Sequence, residues 1–220
     1  MANLYFYYSA MNAGKSAHLI QSAFNYREKG MHVLCFLPDT VFDALKGSIK
    51  SRTGITLPAV RMTPDMNVQD YIARYIASSP PTVDNELCHE DNRPSSTHPL
   101  ACIFVDEAQF LSKHNVSELC AIVDQYHIPV LCYGLRTDFQ GHLFTGSHHL
   151  LAWADHLKEI KTICHCGRKA TMTLRLTTNG HNVDGCGPQV AIGGNERYVS
   201  VCRTHHAQKQ WRPFMTPSSP

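Results

Sequence analysis

Read from the N-terminus, apolar positions alternate between short continuous runs and stripes at helical spacing. Leu4–Tyr8 is an aromatic run bounded by small residues, the pattern of a buried strand. From Ser16 to about Glu28, Leu19, Ile20, Ala23 and Phe24 recur at helical spacing, and Gly30 stops the helix. Val33–Leu37 predicts a second strand that Pro38 ends. Residues 39–64 are polar, with Gly47 and Gly54, and predict a loop with room for one short helix. A helical pattern returns over Val68–Ala77. Ala101–Val105 predicts a third strand, Lys113–Tyr126 a helix and Pro129–Tyr133 a fourth strand. Strands alternating with helices indicate an α/β fold built on a mostly parallel sheet with helices on both faces.

Two stretches break this rhythm. Residues 78–99 are crowded with Ser, Pro, Asn, Asp, Glu and His and nearly lack apolar side chains. Such a segment cannot bury enough surface to offset the entropy of ordering it, and is expected to be a disordered surface insertion. After about Lys161, cysteines, glycines and β-formers (Thr171–Leu176, Gln189–Ile192, Tyr198–Val201) replace helical periodicity. The predicted organisation is an α/β body over 1–160, a small β-rich domain over 161–209 and a flexible tail over 210–220.

Composition narrows the partners. A chain of 220 residues with 43% hydrophobic residues can build a real core. The formal net charge is +2, with Lys and Arg scattered instead of clustered on a basic stripe, which argues against nucleic acid as a partner. No apolar run reaches the roughly 18 residues of a membrane span, and the N-terminus has no signal-peptide pattern. A cytoplasmic protein without a membrane partner is expected, so its nine cysteines are expected to be reduced. Cys35, Cys102, Cys120 and Cys132 sit in apolar runs and read as small core residues.

Ser9-Ala10-Met11-Asn12-Ala13-Gly14-Lys15-Ser16 has the form of a phosphate-binding loop with serine at the usual first glycine. Gly-Lys-Ser alone arises by chance in about one chain in ten of this length. Its place between a predicted strand and a predicted helix carries the argument, because loop amides and a helix N-terminus there would face phosphates. Lys15 would neutralise the β- and γ-phosphates and the Ser16 hydroxyl would ligate Mg²⁺. Ser9 in place of glycine predicts a slightly different bend at the loop entry. Asp106 ends the third strand, where open α/β sheets hold their ligands, and suits an Mg²⁺-holding role. Glu107 beside it could accept a proton from an attacking hydroxyl or orient a water. The bland alternative for the pair is a solvated turn.

Cys164-His165-Cys166-Gly167 and Cys202-Arg203-Thr204-His205 form two ligand pairs with 35 residues between Cys166 and Cys202. Cys164, Cys166, Cys202 and His205 would satisfy tetrahedral Zn²⁺ with no position left open, a structural site stapling a domain poor in apolar residues. His206 or His165 could serve in place of His205, and unliganded thiols are the bland alternative.

Together with Val105–Phe110, Tyr133–Phe139 and Ile192–Tyr198, these motifs keep an order that resembles bacterial thymidine kinases of the type carrying a zinc-bound lasso. The resemblance spans nearly the whole chain apart from 78–99 and the tail. It implies a RecA-like P-loop body, and ATP and thymidine as substrates in pyrimidine salvage. It also implies a homotetramer and feedback inhibition by thymidine triphosphate. By position it implies that Ser9–Ser16 and Asp106, Glu107, Ala108 and Gln109 bind ATP, with Glu107 the proton acceptor. Met11, Leu135, Phe139, Phe144, Gln189, Val190, Ala191, Ile192, Gly193 and Tyr198 would hold the nucleoside. Arg52 falls where the family places an arginine near the phosphates. On sequence alone Leu135, Phe139 and Phe144 read as core, and Tyr198 as an ordinary strand residue. Two other functions compete: an ATPase acting on nucleic acid, and a zinc-ribbon interaction module at the C-terminal end.

Overall fold

The structure is a computed structural model and describes residues 1–78, 100–177 and 197–211. In chain order the body consists of β1 (Leu4–Ser9), α1 (Lys15–Glu28), β2 (Val33–Pro38), α2 (Asp39–Phe42), β3 (Ser48–Lys50), β4 (Thr56–Pro58) and β5 (Val60–Met62). There follow α3 (Val68–Ala77), β6 (Cys102–Val105), a 3-10 turn (Ala108–Phe110), α4 (Lys113–Tyr126), β7 (Val130–Leu135), α5 (Thr145–Trp153) and β8 (His156–Glu159). Six strands form one parallel sheet in the order β5-β2-β6-β7-β1-β8.

Two-residue alternation along the central strands sorts their side chains onto opposite faces. Leu4 and Phe6 of β1, Leu34 and Phe36 of β2, Ile103 and Val105 of β6, and Val130 and Cys132 of β7 share one core. Against them lie Val68 and Ile72 of α3, Val116, Leu119 and Ile122 of α4, and Leu150 of α5. The alternate residues, Val33, Cys35, Leu37, Cys102, Phe104, Leu131 and Tyr133, pack on Leu19, Ile20 and Ala23 of α1. Helices therefore cover both faces, as the sequence predicts, and both faces being buried is why these strands read as unbroken apolar runs. The helix starts are chemically marked: the Asn67 side chain accepts from the Asp70 amide at 2.7 Å, and Ser112 and Asn115 form a capping box.

Residues 39–64 hold more order than the predicted loop. β3 and β4 pair as a hairpin and β5 joins the sheet beside β2, but each strand has three residues, too few for a period to emerge. α5 and β8 also lack a sequence signal. α5 opens Thr145-Gly146-Ser147-His148-His149, and β8 is an edge strand whose first three residues are exposed.

The C-terminal part carries β9 (Thr162–Ile163), β10 (Lys169–Ala170), β11 (Met172–Arg175), β12 (Tyr198–Val201) and α6 (Arg203–Ala207). β9 and β10 pair around the Cys164–Gly167 turn, where Gly167 adopts φ 80° and its amide bonds the Cys164 carbonyl at 2.8 Å. β11 and β12 form an antiparallel pair. Their own core is small: Cys164, Ala170, Leu174, Val201 and Cys202 are buried together. The insertion expected at 78–99, apart from Ser78 at the end of α3, lies outside the described residues, as does the tail beyond 211.

Candidate active site and metal centre

β1 and β6 both pair with β7, so their C-terminal ends stand two strand spacings apart, about 10 Å. The phosphate-type loop leaves one end and Asp106 leaves the other. The gap between them is closed by side chains: the Ser16 hydroxyl and the Lys15 ammonium both act on the Asp106 carboxyl and favour its charged form. Lys15 is buried, and its ammonium donates to Ser9 Oγ at 3.1 Å and to the Ala10 carbonyl at 3.3 Å. Burial lowers the Lys15 pKa, and the Glu107 and Asp106 carboxylates partly restore it.

The loop turns at Asn12 (φ 63°) and Gly14 (φ 84°), the latter immediately before α1. Ser9 ends β1 and is not among the positive-φ positions, so its backbone needs no glycine. Its hydroxyl instead donates to the Ala10 carbonyl at 2.7 Å while accepting from Lys15. The bend expected from losing the first glycine is thus occupied by a serine that seats the lysine. Arg52, from the β3–β4 hairpin, reaches over to donate to Asn12 Oδ1.

Asp106 is 2% exposed. Burial and the neighbouring Glu107 charge push its carboxyl up to about 7, against the opposing pull of Ser16, the Glu107 amide and Lys15. Glu107 adopts a left-handed conformation, φ 51°, that is uncommon for a residue with a Cβ. Its amide donates to Asp106 Oδ1 at 3.0 Å. Its carboxylate accepts from Gln109 Nε2 at 2.5 Å, and Gln109 Oε1 in turn accepts from the Leu135 amide at 3.0 Å. Gln109 is 1% exposed and fits because Gly134 has no side chain: a Cβ there would meet the Gln109 amide nitrogen and Oε1 at 2.9 Å. The end of β7 therefore orients Gln109, and Gln109 orients Glu107. That relay is not visible in the sequence, where Gln109 is expected to bind ATP and Gly134 is one position of the Tyr133–Phe139 motif with no role attached.

Of the residues expected around a nucleoside, Leu135 ends β7, Phe139 and Phe144 follow it, Met11 lies in the phosphate-type loop and Tyr198 begins β12. Ser147 Oγ donates to the Leu135 carbonyl at 2.5 Å. Phe144 meets Phe110 edge-on at 5.6 Å, next to the acidic turn, and the Arg175 guanidinium stacks 3.8 Å from the Phe139 ring centroid. Leu135, Phe139 and Phe144 are all buried. Met11 and Asn12 contact the C-terminal hairpin: the Met11 amide donates to Thr173 Oγ1 at 3.2 Å, and Asn12 Nδ2 donates to the Tyr198 carbonyl at 3.1 Å. Gln189–Gly193 lie outside the described residues.

The ligand atoms of Cys164, Cys166, Cys202 and His205 all lie within 4.8 Å of one another. Cys166 Sγ and Cys202 Sγ are 3.9 Å apart, and His205 Nδ1 stands 3.3 Å from Cys164 Sγ and 3.6 Å from Cys202 Sγ. Tetrahedral Zn²⁺ with Zn–S bonds of about 2.3 Å needs sulfur–sulfur edges near 3.8 Å, so this donor set fits the ion. Arg168 Nε donates to Cys166 Sγ at 3.4 Å and holds that thiol down at about 6, favouring the thiolate a metal requires. Of the three candidate histidines, His205 joins the cluster of donor atoms. His206 Nε2 contacts the Phe139 carbonyl at 2.8 Å instead, while His165 stacks on His205 with its Nδ1 3.6 Å from Cys164 Sγ.

Similarity to known proteins runs the length of this arrangement. The family model for thymidine kinase matches residues 2–206. Thymidine kinase of Shewanella oneidensis is 52% identical over 211 residues, covering 96% of this chain and 100% of that protein. Thymidine kinase of Yersinia pseudotuberculosis is 50% identical over 208 residues, covering 94% and 96%. Thymidine kinase of Xanthomonas axonopodis pv. citri is 53% identical over 203 residues, covering 92% and 88%. No described helix is long and apolar enough to cross a membrane. A match that spans both the parallel-sheet body and the cysteine-rich hairpin leaves one assignment: the chain belongs to the thymidine kinase family.

Proposed function

We propose that the protein transfers the γ-phosphoryl group of ATP to the 5′-hydroxyl of thymidine, giving thymidine 5′-phosphate and ADP. The observation that carries this reading is the meeting of Ser16 and Lys15 with Asp106 across β7, with Glu107 held beside them by Gln109. Ser9–Ser16 cradle the phosphates, assisted by Asp106–Gln109, and Arg52 approaches the same loop through Asn12. Ser16 and Asp106 would hold Mg²⁺, which offsets charge on the β- and γ-oxygens. Lys15 seats against Ser9 and adds positive charge where the transferred group gains negative character.

Glu107 accepts the 5′-hydroxyl proton as the new oxygen–phosphorus bond forms and the bond from the γ-phosphorus to the bridging oxygen breaks. Met11, Leu135, Phe139 and Phe144 line the nucleoside pocket, and Tyr198 with Gln189–Gly193 close it from the zinc-stapled part. Cys164, Cys166, Cys202 and His205 hold structural Zn²⁺. Residues 1–160 act as the nucleotide-binding body and 161–209 as the lasso. The assembly is a cytoplasmic homotetramer that thymidine triphosphate inhibits by occupying both substrate positions.

The decisive variant is Glu107→Gln. It keeps ATP binding and lowers kcat by about a hundredfold or more, the scale of a lost general base. Near wild-type turnover in a steady-state phosphorylation assay would remove Glu107 from the role.

A further inference from the structure

Met11 sits in the middle of the phosphate-type loop, and both of its backbone polar groups are held by the C-terminal hairpin. Its amide donates to Thr173 Oγ1 at 3.2 Å, and its carbonyl accepts from Ser200 Oγ. Thr173 and Ser200 face each other directly in the β11–β12 ladder. One cross-strand pair thus binds both sides of a single loop residue, as a neighbouring strand would. Asn12 adds a third bond through its side chain to the Tyr198 carbonyl at 3.1 Å, from the left-handed turn (φ 63°) that asparagine readily adopts.

The far side of the same hairpin belongs to the metal cluster. Leu174 and Val201, adjacent in sequence to Thr173 and Ser200, are buried with Cys164 and Cys202 in the five-residue core. β12 runs straight into Cys202. Among the described residues, apart from Met172, Val199 and Trp211 at its edge, little else is buried there, so a metal held by the Cys₃His set would add most of the rigidity of this strand pair.

We propose that Thr173 and Ser200 are positioning residues that clamp the phosphate loop in its nucleotide-binding shape, so that zinc loading and nucleotide affinity are thermodynamically linked. The metal touches no nucleotide; its effect passes through two hydroxyls to the Met11 peptide groups. The hairpin therefore serves the phosphate donor as well as any closure over the acceptor. The proposal rests on the reading that Ser9–Ser16 bind phosphates. Linkage is reciprocal: if zinc strengthens ADP binding, bound ADP must retain zinc.

The test uses the zinc-loaded full chain without nucleoside. ADP affinity with Mg²⁺ is measured by calorimetry, and zinc release to a chromogenic chelator is timed with and without saturating ADP. Wild type is expected to bind ADP and to release zinc several-fold more slowly when it is bound. Ser200→Ala and Thr173→Val are expected to lower ADP affinity about five- to thirty-fold, the scale of one or two net hydrogen bonds, with full zinc content. In both variants the ADP effect on zinc release should shrink towards none, while Thr173→Ser restores affinity and protection. Should Thr173→Val lose its zinc on purification, Ser200→Ala, which removes only a partly exposed hydroxyl, decides the matter. ADP affinity within twofold of wild type in Ser200→Ala, or zinc release indifferent to ADP in wild type, overturns the clamp. Lys15→Met separates the two readings. If it binds ADP as tightly as wild type, the phosphate-loop assignment itself fails; if it loses ADP while Ser200→Ala does not, only the clamp fails.

Discussion

Gly146 lies in the first turn of α5, against the 3-10 turn that follows the acidic pair, and its replacement by alanine tests how tightly that turn is held. A Cβ at Gly146 would stand 2.2 Å from the Ala108 carbonyl oxygen and 2.9 Å from both the Gln109 carbonyl oxygen and the Leu111 nitrogen. Ordinary contacts begin near 3.4 Å, so one backbone must retreat by about 1 Å or more. All three atoms are main chain, and no flexible side chain can swing aside. The cost should reach the upper end of overpacking, about 3 kcal/mol, against which alanine's better helix propensity returns at most about 1 kcal/mol. For a chain of this size a net loss of 2–3 kcal/mol lowers Tm by roughly 4–12 °C. The same displacement moves Gln109, the donor to Glu107, and a misplacement of this size costs about a hundredfold in turnover. Thermal melting followed by circular dichroism, with kcat measured well below Tm, reads both effects. A Gly146→Ala protein that melts within 2 °C of wild type and turns over within twofold would refute the packing argument.

Two further outcomes follow from the acidic turn. Gln109→Leu removes the donor to Glu107 Oε2 and the acceptor for the Leu135 amide. The expected result is a fall in kcat of about tenfold or more, larger than any accompanying rise in KM for ATP; a change confined to KM would mean that Gln109 serves the nucleotide alone and does not orient the carboxylate. Asp106 makes the stability of the ligand-free protein pH-dependent. Its folded-state carboxyl keeps its proton up to about 7 against a usual 3.8, so the folded state binds more protons in between. The stability this group contributes is full below about pH 4, declines as pH rises to 7 and is flat above. In urea titrations from pH 4.5 to 8.5, Asp106→Asn should therefore gain on wild type up to about pH 7, and a pH-independent difference would contradict the burial argument.

Much of this was legible because burial on both sheet faces writes itself as apolar runs. Leu4–Ser9, Val33–Pro38 and Cys102–Val105 stand out for that reason, and α3 and α4 through helical spacing. The loop and the acidic pair could be joined because each sits at a strand end, and strand ends of a parallel sheet gather on one side. Short or half-exposed elements stayed hidden: three-residue strands at 48–62, the polar edge strand β8, and α5 with glycine and two histidines in its sequence. The Gln109–Gly134 fit and the Thr173–Ser200 grip on Met11 are contacts between distant elements. No local pattern encodes them. At Ser9 the sequence showed a departure from the motif but not its consequence, a hydroxyl that accepts from Lys15.

β7 lies between the two strands that deliver the phosphate loop and the acidic turn. The span from one half of the machinery to the other is consequently measured in peptide hydrogen bonds, which all sequences make at the same length. Core substitutions on either face can loosen the fold without altering that interval. Tolerance to mutation should thus be uneven: broad among core side chains away from the strand ends, narrow where an added Cβ would strike the acidic turn that covers the end of β7, as at Gly134.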